Sequence, residues 1–221
     1  MTTSTFPDAF SADAWMRRFV QSAQAAKDRL TALDQEVGDG DFGINLSTGA
    51  HSTLRHLDAN PASSSEPAAP FHAAATAFLD EVGGTSGPLF GLLFQSLAVA
   101  VAGAEAASTP ALAAGATEGL AAIRRVGDAA PGDKTLVDAL GPAAEALRAA
   151  PADTSPAEAL ARAADAAWAG ANETARLRAR MGRSSYLGGR AEGVPDPGAV
   201  GIGLFFASAR AVVDDLSTRL D

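Results

Sequence analysis

Three aspartates, Asp34, Asp39 and Asp41, fall within eight positions in the string LDQEVGDGDFG at 33–43. Asp34 closes one apolar-periodic segment, Gly38 and Gly40 let the chain fold back, and Asp39 and Asp41 precede the next periodic segment. Carboxylates gathered at one turn repel one another unless a cation or a proton compensates, and hard oxygen ligands suit Mg²⁺ or Ca²⁺. The spacing is not that of an EF-hand, because the twelfth position counted from Asp39 is Ala50 rather than a bidentate glutamate. Mg²⁺ keeps positions open for water and phosphate and is the better match to so few protein ligands. A plainer reading makes Gly38 a helix C-cap, Asp41 a helix N-cap and Asp39 an exposed side chain, and this loop alone leaves both readings open.

Three further segments are rich in Gly, Asp, Ser, Thr and Arg. GGTSGP at 83–88 opens the most apolar stretch of the chain. Its glycines expose backbone N–H groups, Thr85 and Ser86 add hydroxyls, and a helix N-terminus adds partial positive charge, which together form an anion cradle. The competing reading is a helix start capped by Thr85 or Ser86. GDAAPGDKT at 127–135 approaches a P-loop, but Asp133 intervenes before Lys134 and Thr135, so GxxxxGK[ST] fails. Asp133 reads as the N-cap of the helix that follows, and any nucleotide contact here comes from close backbone approach at Gly127. The segment MGRSSYLGGRAEGVPDPG at 181–198 completes a cluster in which Arg176, Arg178, Arg180, Arg183 and Arg190 supply five of the chain's 17 basic residues. Arginine is the natural fork for phosphate oxygens. Arg176 and Arg180 are expected on the solvated face of a helix near its C-terminus, whereas Arg183 lies beyond that helix. Asp196, Pro197 and Gly198 read as N-cap, first-turn proline and start of the last helix.

The elements that must position these segments are helices. Hydrophobic residues make up 47% of the 221-residue chain and aromatics only 6%, and period-2 runs of β-branched residues are missing. Apolar periodicity predicts eight helices, roughly at 12–33, 43–57, 70–82, 87–103, 109–126, 134–149, 156–180 and 198–219. In the first, Trp15, Phe19, Ala23, Ala26, Leu30 and Leu33 share one face behind an N-cap at Ser11. The seventh begins with Ser155 as N-cap and Pro156 at its first position. Three remaining connections, at 58–70, 108–110 and 151–156, read as solvated spacers. The expectation is an all-α, single-domain antiparallel eight-helix bundle over residues 1–221. The four chemical segments follow helices one, three, five and seven, so alternation places all four at one end. Carboxylates, an anion cradle and an arginine at that end describe a metal–nucleotide phosphate site.

The formal net charge of −9 argues against a nucleic-acid partner. The absence of cysteine removes disulfides, zinc–thiolate sites and cysteine nucleophiles. The most apolar stretch, 88–104, is too short for a membrane span, and the N-terminus shows no signal-peptide pattern, so a soluble cytoplasmic protein is expected.

LDQEVGDGDFG, GGTSGPLFG at 83–91, PGDKT at 131–135 and the segment RARMGRSSYLGGRAEGVPDPGA at 178–199 resemble, in order and spacing, the nucleotide-binding domain of dihydroxyacetone kinases. The last segment is similar to that branch rather than to the related fatty-acid kinase domain, and the length resembles a freestanding L subunit of the phosphotransferase-system-dependent enzyme. The resemblance implies an eight-helix barrel with a nucleotide at one end and two Mg²⁺ ions held by Asp34, Asp39 and Asp41. It implies nucleotide contacts at Phe42, Gly43, Ile44, Asn45, Thr85, Ser86, Gly127, Leu136, Arg183, Asp196, Pro197 and Gly198. Arg183 takes the catalytic role of spreading transition-state charge. ADP or ATP is the implied cofactor. The implied chemistry is a phosphoryl relay to dihydroxyacetone, a short keto-sugar, held on a K-type partner subunit. The donor is a phosphohistidine on an M-type subunit or free ATP; a catalytically silent regulatory module is the alternative, and self-association stays open. The family's barrel also encloses an apolar pocket able to hold a lipid. One departure stands out: the family usually places His directly after the last aspartate, where this chain has Phe42.

Overall fold

Spacings of three and four bury Trp15, Phe19, Ala23, Ala26, Leu30 and Leu33 along one face of α1 (Ala12–Val37), and Ser11 Oγ accepts the Ala14 N–H at 3.2 Å. The computed structural model describes residues 10–60 and 66–220, side chains of 187–190 excepted. The first nine residues, positions 61–65 of the expected 58–70 spacer and the Arg190 side chain lie outside the described residues. The remaining helices are α2 (Phe42–Ala59), α3 (Ala69–Glu81), α4 (Ser86–Val101), α5 (Thr109–Gly127), α6 (Val137–Ala149), α7 (Pro156–Glu173) and α8 (Pro197–Ala207). Among the described residues there is no strand, and no helix is long and apolar enough to cross a membrane.

Each helix packs on the next and α8 returns to α1, closing a ring. Aromatic rings fill its interior. Trp15 stacks on Phe205 at 4.4 Å; Phe205 meets Phe19 at 5.4 Å and Phe94 at 5.3 Å; Phe94 meets Phe78 at 5.1 Å. Phe90 lies 5.9 Å from Phe78 and 6.2 Å from Phe42, so the column runs from the first turn of α1 to the first residue of α2. These rings occupy the interior that the resemblance assigns to a lipid pocket.

Several expected helix ends move, each for a local reason. α6 begins at Val137 rather than 134 because Lys134 adopts a left-handed φ of 62°. Asp133 is not its N-cap: the Asp133 carboxylate accepts the Ala130 N–H at 2.8 Å, and Asp138, inside α6, accepts those of Gly132 at 2.5 Å and Thr135 at 2.8 Å. α7 stops at Glu173 rather than near 180; a 3₁₀ turn at Thr174–Arg176 follows, and Leu177 is extended. Arg176 and Arg180 therefore do not share a helix face, although both remain exposed. α8 ends at Ala207 rather than near 219 because the tail is tied to α1. The Arg18 guanidinium donates to the Ser208 and Ala209 carbonyls, and the Val213 N–H donates to Ser22 Oγ.

Candidate functional site

All four chemical segments meet at one end of the ring, around a cleft of about 390 Å³. A cavity of that size suits a nucleotide-sized ligand. Alternation points the C-termini of the odd-numbered helices and the N-termini of the even-numbered ones into this end. Cations and anions thus both find complementary helix dipoles there.

The last turn of α1 and the first residues before α2 supply the carboxylates. Oxygens of Asp34, Asp39 and Asp41 all lie within 4.8 Å of one another. Asp34 is buried, and its Oδ2 accepts the Phe42 N–H at 3.0 Å, so α2 is capped from α1. Asp41 occupies the N-cap position of α2 but makes no side-chain cap bond, which leaves its carboxylate to the cleft. Gly38 does act as C-cap, its N–H reaching the Asp34 carbonyl at 2.5 Å. Desolvation and the charge of Asp39 raise the pKa of Asp41, against the opposing hydrogen bond from Asn45. A compact set of hard oxygens under mutual repulsion fits a divalent cation such as Mg²⁺. Asp39 meets the guanidinium of Arg183 across the mouth of the cleft.

Gly84 brings the second segment beside the first. Its φ of +72° is a conformation side chains avoid, and a Cβ there would stand 3.5 Å from Asn45 Nδ2 and 3.9 Å from Asp41 Oδ2. Neither Thr85 nor Ser86 caps α4: Thr85 is already helical and makes no side-chain cap bond. Both line the cleft beside the unspent N–H groups of the first turn of α4. The aspartate cluster and the open start of α4 are therefore neighbours.

The opposite wall comes from the third and fourth segments. Lys134 is 2% exposed, and its Nζ donates at 2.6 Å to the carbonyls of Thr174 and of Val194. Burial lowers its pKa. Thr174 Oγ1 accepts the Asp196 N–H at 2.7 Å, and Asp196 caps α8 through Ala199 N at 2.8 Å. Desolvation pushes the Asp196 carboxyl up to about 7, against the Ala199 hydrogen bond and the charge of Lys134. The Arg180 side chain stays exposed, 3.5 Å from Asp133.

Of the residues expected at the site, Asp34, Asp39, Asp41, Phe42, Thr85, Ser86, Gly127, Leu136, Arg183, Asp196, Pro197 and Gly198 line this cleft. Gly43, Ile44 and Asn45 do not. Gly43 instead lets α2 approach α1, since a Cβ would stand 2.3 Å from the Lys27 carbonyl. Ile44 is an exposed side chain, and Asn45 acts at one remove through Asp41. The Phe42 ring turns into the core against Phe90 and Gly201, so position 42 offers the carboxylates its N–H and closes the cleft floor with its ring. Residues that sequence reasoning missed are Leu89, Ile123, Ala129, Val137 and Met181, an apolar lining suited to a base, together with Lys134. For Ile123 and Val137, helical periodicity at the ends of α5 and α6 was the available signal. The buried lysine had none.

A DAK2 domain profile matches residues 36–211. The chain is 38% identical over 173 residues to the ADP-binding subunit DhaL of PEP-dependent dihydroxyacetone kinase 2 of Listeria innocua, covering 78% of this chain and 80% of that protein. It is 33% identical over 189 residues to the corresponding DhaL of Escherichia coli, covering 85% and 89%. The crystal structure of the C. freundii dihydroxyacetone kinase in complex with AMP-PNP and Mg²⁺ superposes with a TM-score of 0.63 at 27% identity. That match covers 94% of this chain and 35% of the kinase, so the chain spans about a third of the larger protein.

Proposed function

The chain belongs to the DAK2-domain family, and from that premise we propose that it is the nucleotide-binding subunit of a kinase acting on dihydroxyacetone or a similar short keto-sugar. The observation that carries this reading is the meeting of Asp34, Asp39 and Asp41, the uncapped start of α4 and Arg183 in one cleft. Relatives named as ADP-binding subunits, and a solved relative in complex with AMP-PNP and Mg²⁺, support it.

In this reading the three aspartates hold one or two Mg²⁺ ions, and ADP or ATP fills the cleft. Bound Mg²⁺ neutralises charge on phosphate oxygens. The first-turn N–H groups of α4, with the Thr85 and Ser86 hydroxyls, receive phosphate oxygens. Arg183 supplies a movable positive charge for the transferring group. Leu89, Ile123, Leu136 and Met181 exclude water around the base, with Gly127 and the Asp196–Pro197–Gly198 turn as backbone walls. The whole chain acts as one domain in the cytoplasm. The sugar is carried by a K-type partner subunit, and the donor is a phosphohistidine protein of the M type or free ATP.

Calorimetric titration of Mg·ADP into wild type and Asp39→Ala tests the assignment. Loss of one carboxylate is expected to weaken binding on the order of tenfold or more. Equal binding by the two proteins would remove the metal assignment.

A further inference from the structure

The excursion that carries Arg183 is a strap with a fixed base and a light latch. Its base is drawn together by the Lys134 ammonium, which binds both the Thr174 and Val194 carbonyls. The Gly193 N–H adds a bond to the Ala175 carbonyl at 2.8 Å, and the Asp196 N–H adds one to Thr174 Oγ1. Further along, the Arg180 N–H reaches the Asp133 carbonyl at 3.1 Å, tying the strap to the third segment. At the tip, among the described residues, two side-chain hydrogen bonds cross to the α1–α2 turn. Ser184 Oγ donates to the Val37 carbonyl at 2.5 Å, and Arg183 Nη1 donates to Asp39 Oδ2. The Arg183 side chain is 68% exposed and that of Asp39 33%, so the ion pair is solvated and exchangeable.

We infer that Arg183 is the resident counter-ion of Asp39 in the metal-free chain and is displaced when a divalent cation takes that carboxylate, so that metal loading releases the arginine for phosphate. The inference rests on the metal–nucleotide reading above and adds an order to it. Three carboxylates with oxygens within 4.8 Å of one another favour a nearby positive charge whether or not a metal is present, and among the described residues Arg183 is the cation paired with the cluster, at Asp39. A guanidinium and a dication on the same carboxylate oxygen repel each other, so the two compete for Asp39. A phosphate arriving before the metal must break the Arg183–Asp39 pair to recruit the arginine. A phosphate arriving with the metal finds Arg183 already free, on a strap whose base has not moved. Ser184, whose partner is a backbone carbonyl rather than a carboxylate, keeps the freed tip near the mouth.

The competition gives one variant effects of opposite sign. Mg²⁺ alone is titrated calorimetrically into nucleotide-free wild type, Arg183→Lys and Arg183→Ala. Arg183 is exposed, so these substitutions leave the core intact. Arg183→Ala is expected to bind bare Mg²⁺ about two- to fivefold more tightly than wild type, the range an exposed ion pair supports. The same variant is expected to bind Mg·ADP more weakly, and Arg183→Lys is expected to fall between the two for bare Mg²⁺. Hydrogen exchange of the wild-type amides at 182–186 supplies a second readout: faster with Mg²⁺ alone, slower again once ADP is added. Unchanged or weaker Mg²⁺ binding by Arg183→Ala, or no acceleration of strap exchange by Mg²⁺, overturns the latch while leaving the metal site standing. Failure of wild type itself to bind Mg²⁺ removes the metal reading and the latch with it.

Discussion

Asp34, which is buried, and Asp196, which is half-buried, both face the cleft, yet their surroundings treat them differently. Asp34 accepts the Phe42 N–H while presenting an oxygen to the aspartate cluster, so one side chain caps a helix and completes the proposed cation site. Asp196 also caps a helix, but desolvation lifts its pKa to about 7. Between the ordinary carboxylate range near pH 4 and pH 7, the folded chain therefore holds a proton that the unfolded chain has released. Stability must fall as pH rises through that window and level off above it, by an amount on the order of a few kcal/mol. Asp196→Asn keeps an oxygen for the Ala199 N–H and cannot ionise. Its urea-denaturation stability, measured without metal between pH 4 and 7.5, should lose most of this slope. A weaker slope of the same sign should remain from Asp41, whose pKa is also raised. An unchanged slope would show that Asp196 does not carry it.

Among the elements, the contact between α1 and α2 decides where the carboxylates sit. Gly43 presses against α1 at the Lys27 carbonyl, and the next bond along the turn is Phe42 N–H to Asp34. Gly43→Ala places a methyl where no space exists, so α2 must shift. We expect a cost of roughly 1–3 kcal/mol in urea unfolding, and weaker Mg²⁺ binding because Asp34 and Asp41 separate. Destabilisation without a change in Mg²⁺ affinity would uncouple the helix contact from the site. The glycine itself was visible in the sequence, but its partner was not, because close approach is a property of two helices. What local chemistry could reveal is the alternation of spacer and chemical connections: Ser11, Ser155 and Asp196 mark helix starts by type alone, and parity does the rest. Lys134 escaped because nothing in GDKT marks a lysine that will turn left-handed and bury its ammonium under two distant carbonyls. The Arg183–Asp39 pair, 144 residues apart in sequence, is likewise a tertiary event that no short pattern encodes.

At the scale of the whole molecule, the cleft is where the ring is stitched. Its lining comes from the α1–α2, α3–α4, α5–α6 and α7–α8 connections, so a ligand that filled it would touch all four antiparallel hairpins. The aromatic column beneath them, from Trp15 to Phe42, links the far end of α1 to the cleft floor through continuous ring contacts. A ligand that binds only the closed ring must then stabilise all of it. At free Mg·ADP about 100-fold above its dissociation constant the gain is about 2.7 kcal/mol, which for a chain of this size raises Tm by about 5–11 °C. Asp39→Ala, with a weakened site, should show a much smaller rise at the same ligand concentration. Cooperativity has a sharper consequence for hydrogen exchange. Amides of Leu97, Val101 and Leu112, on the buried side of α4 and α5 away from the cleft, should slow by the same factor as core amides of α2 beside it. Slowing confined to residues near the cleft would mean that the hairpins open independently, and that the column does not bind them into one unit.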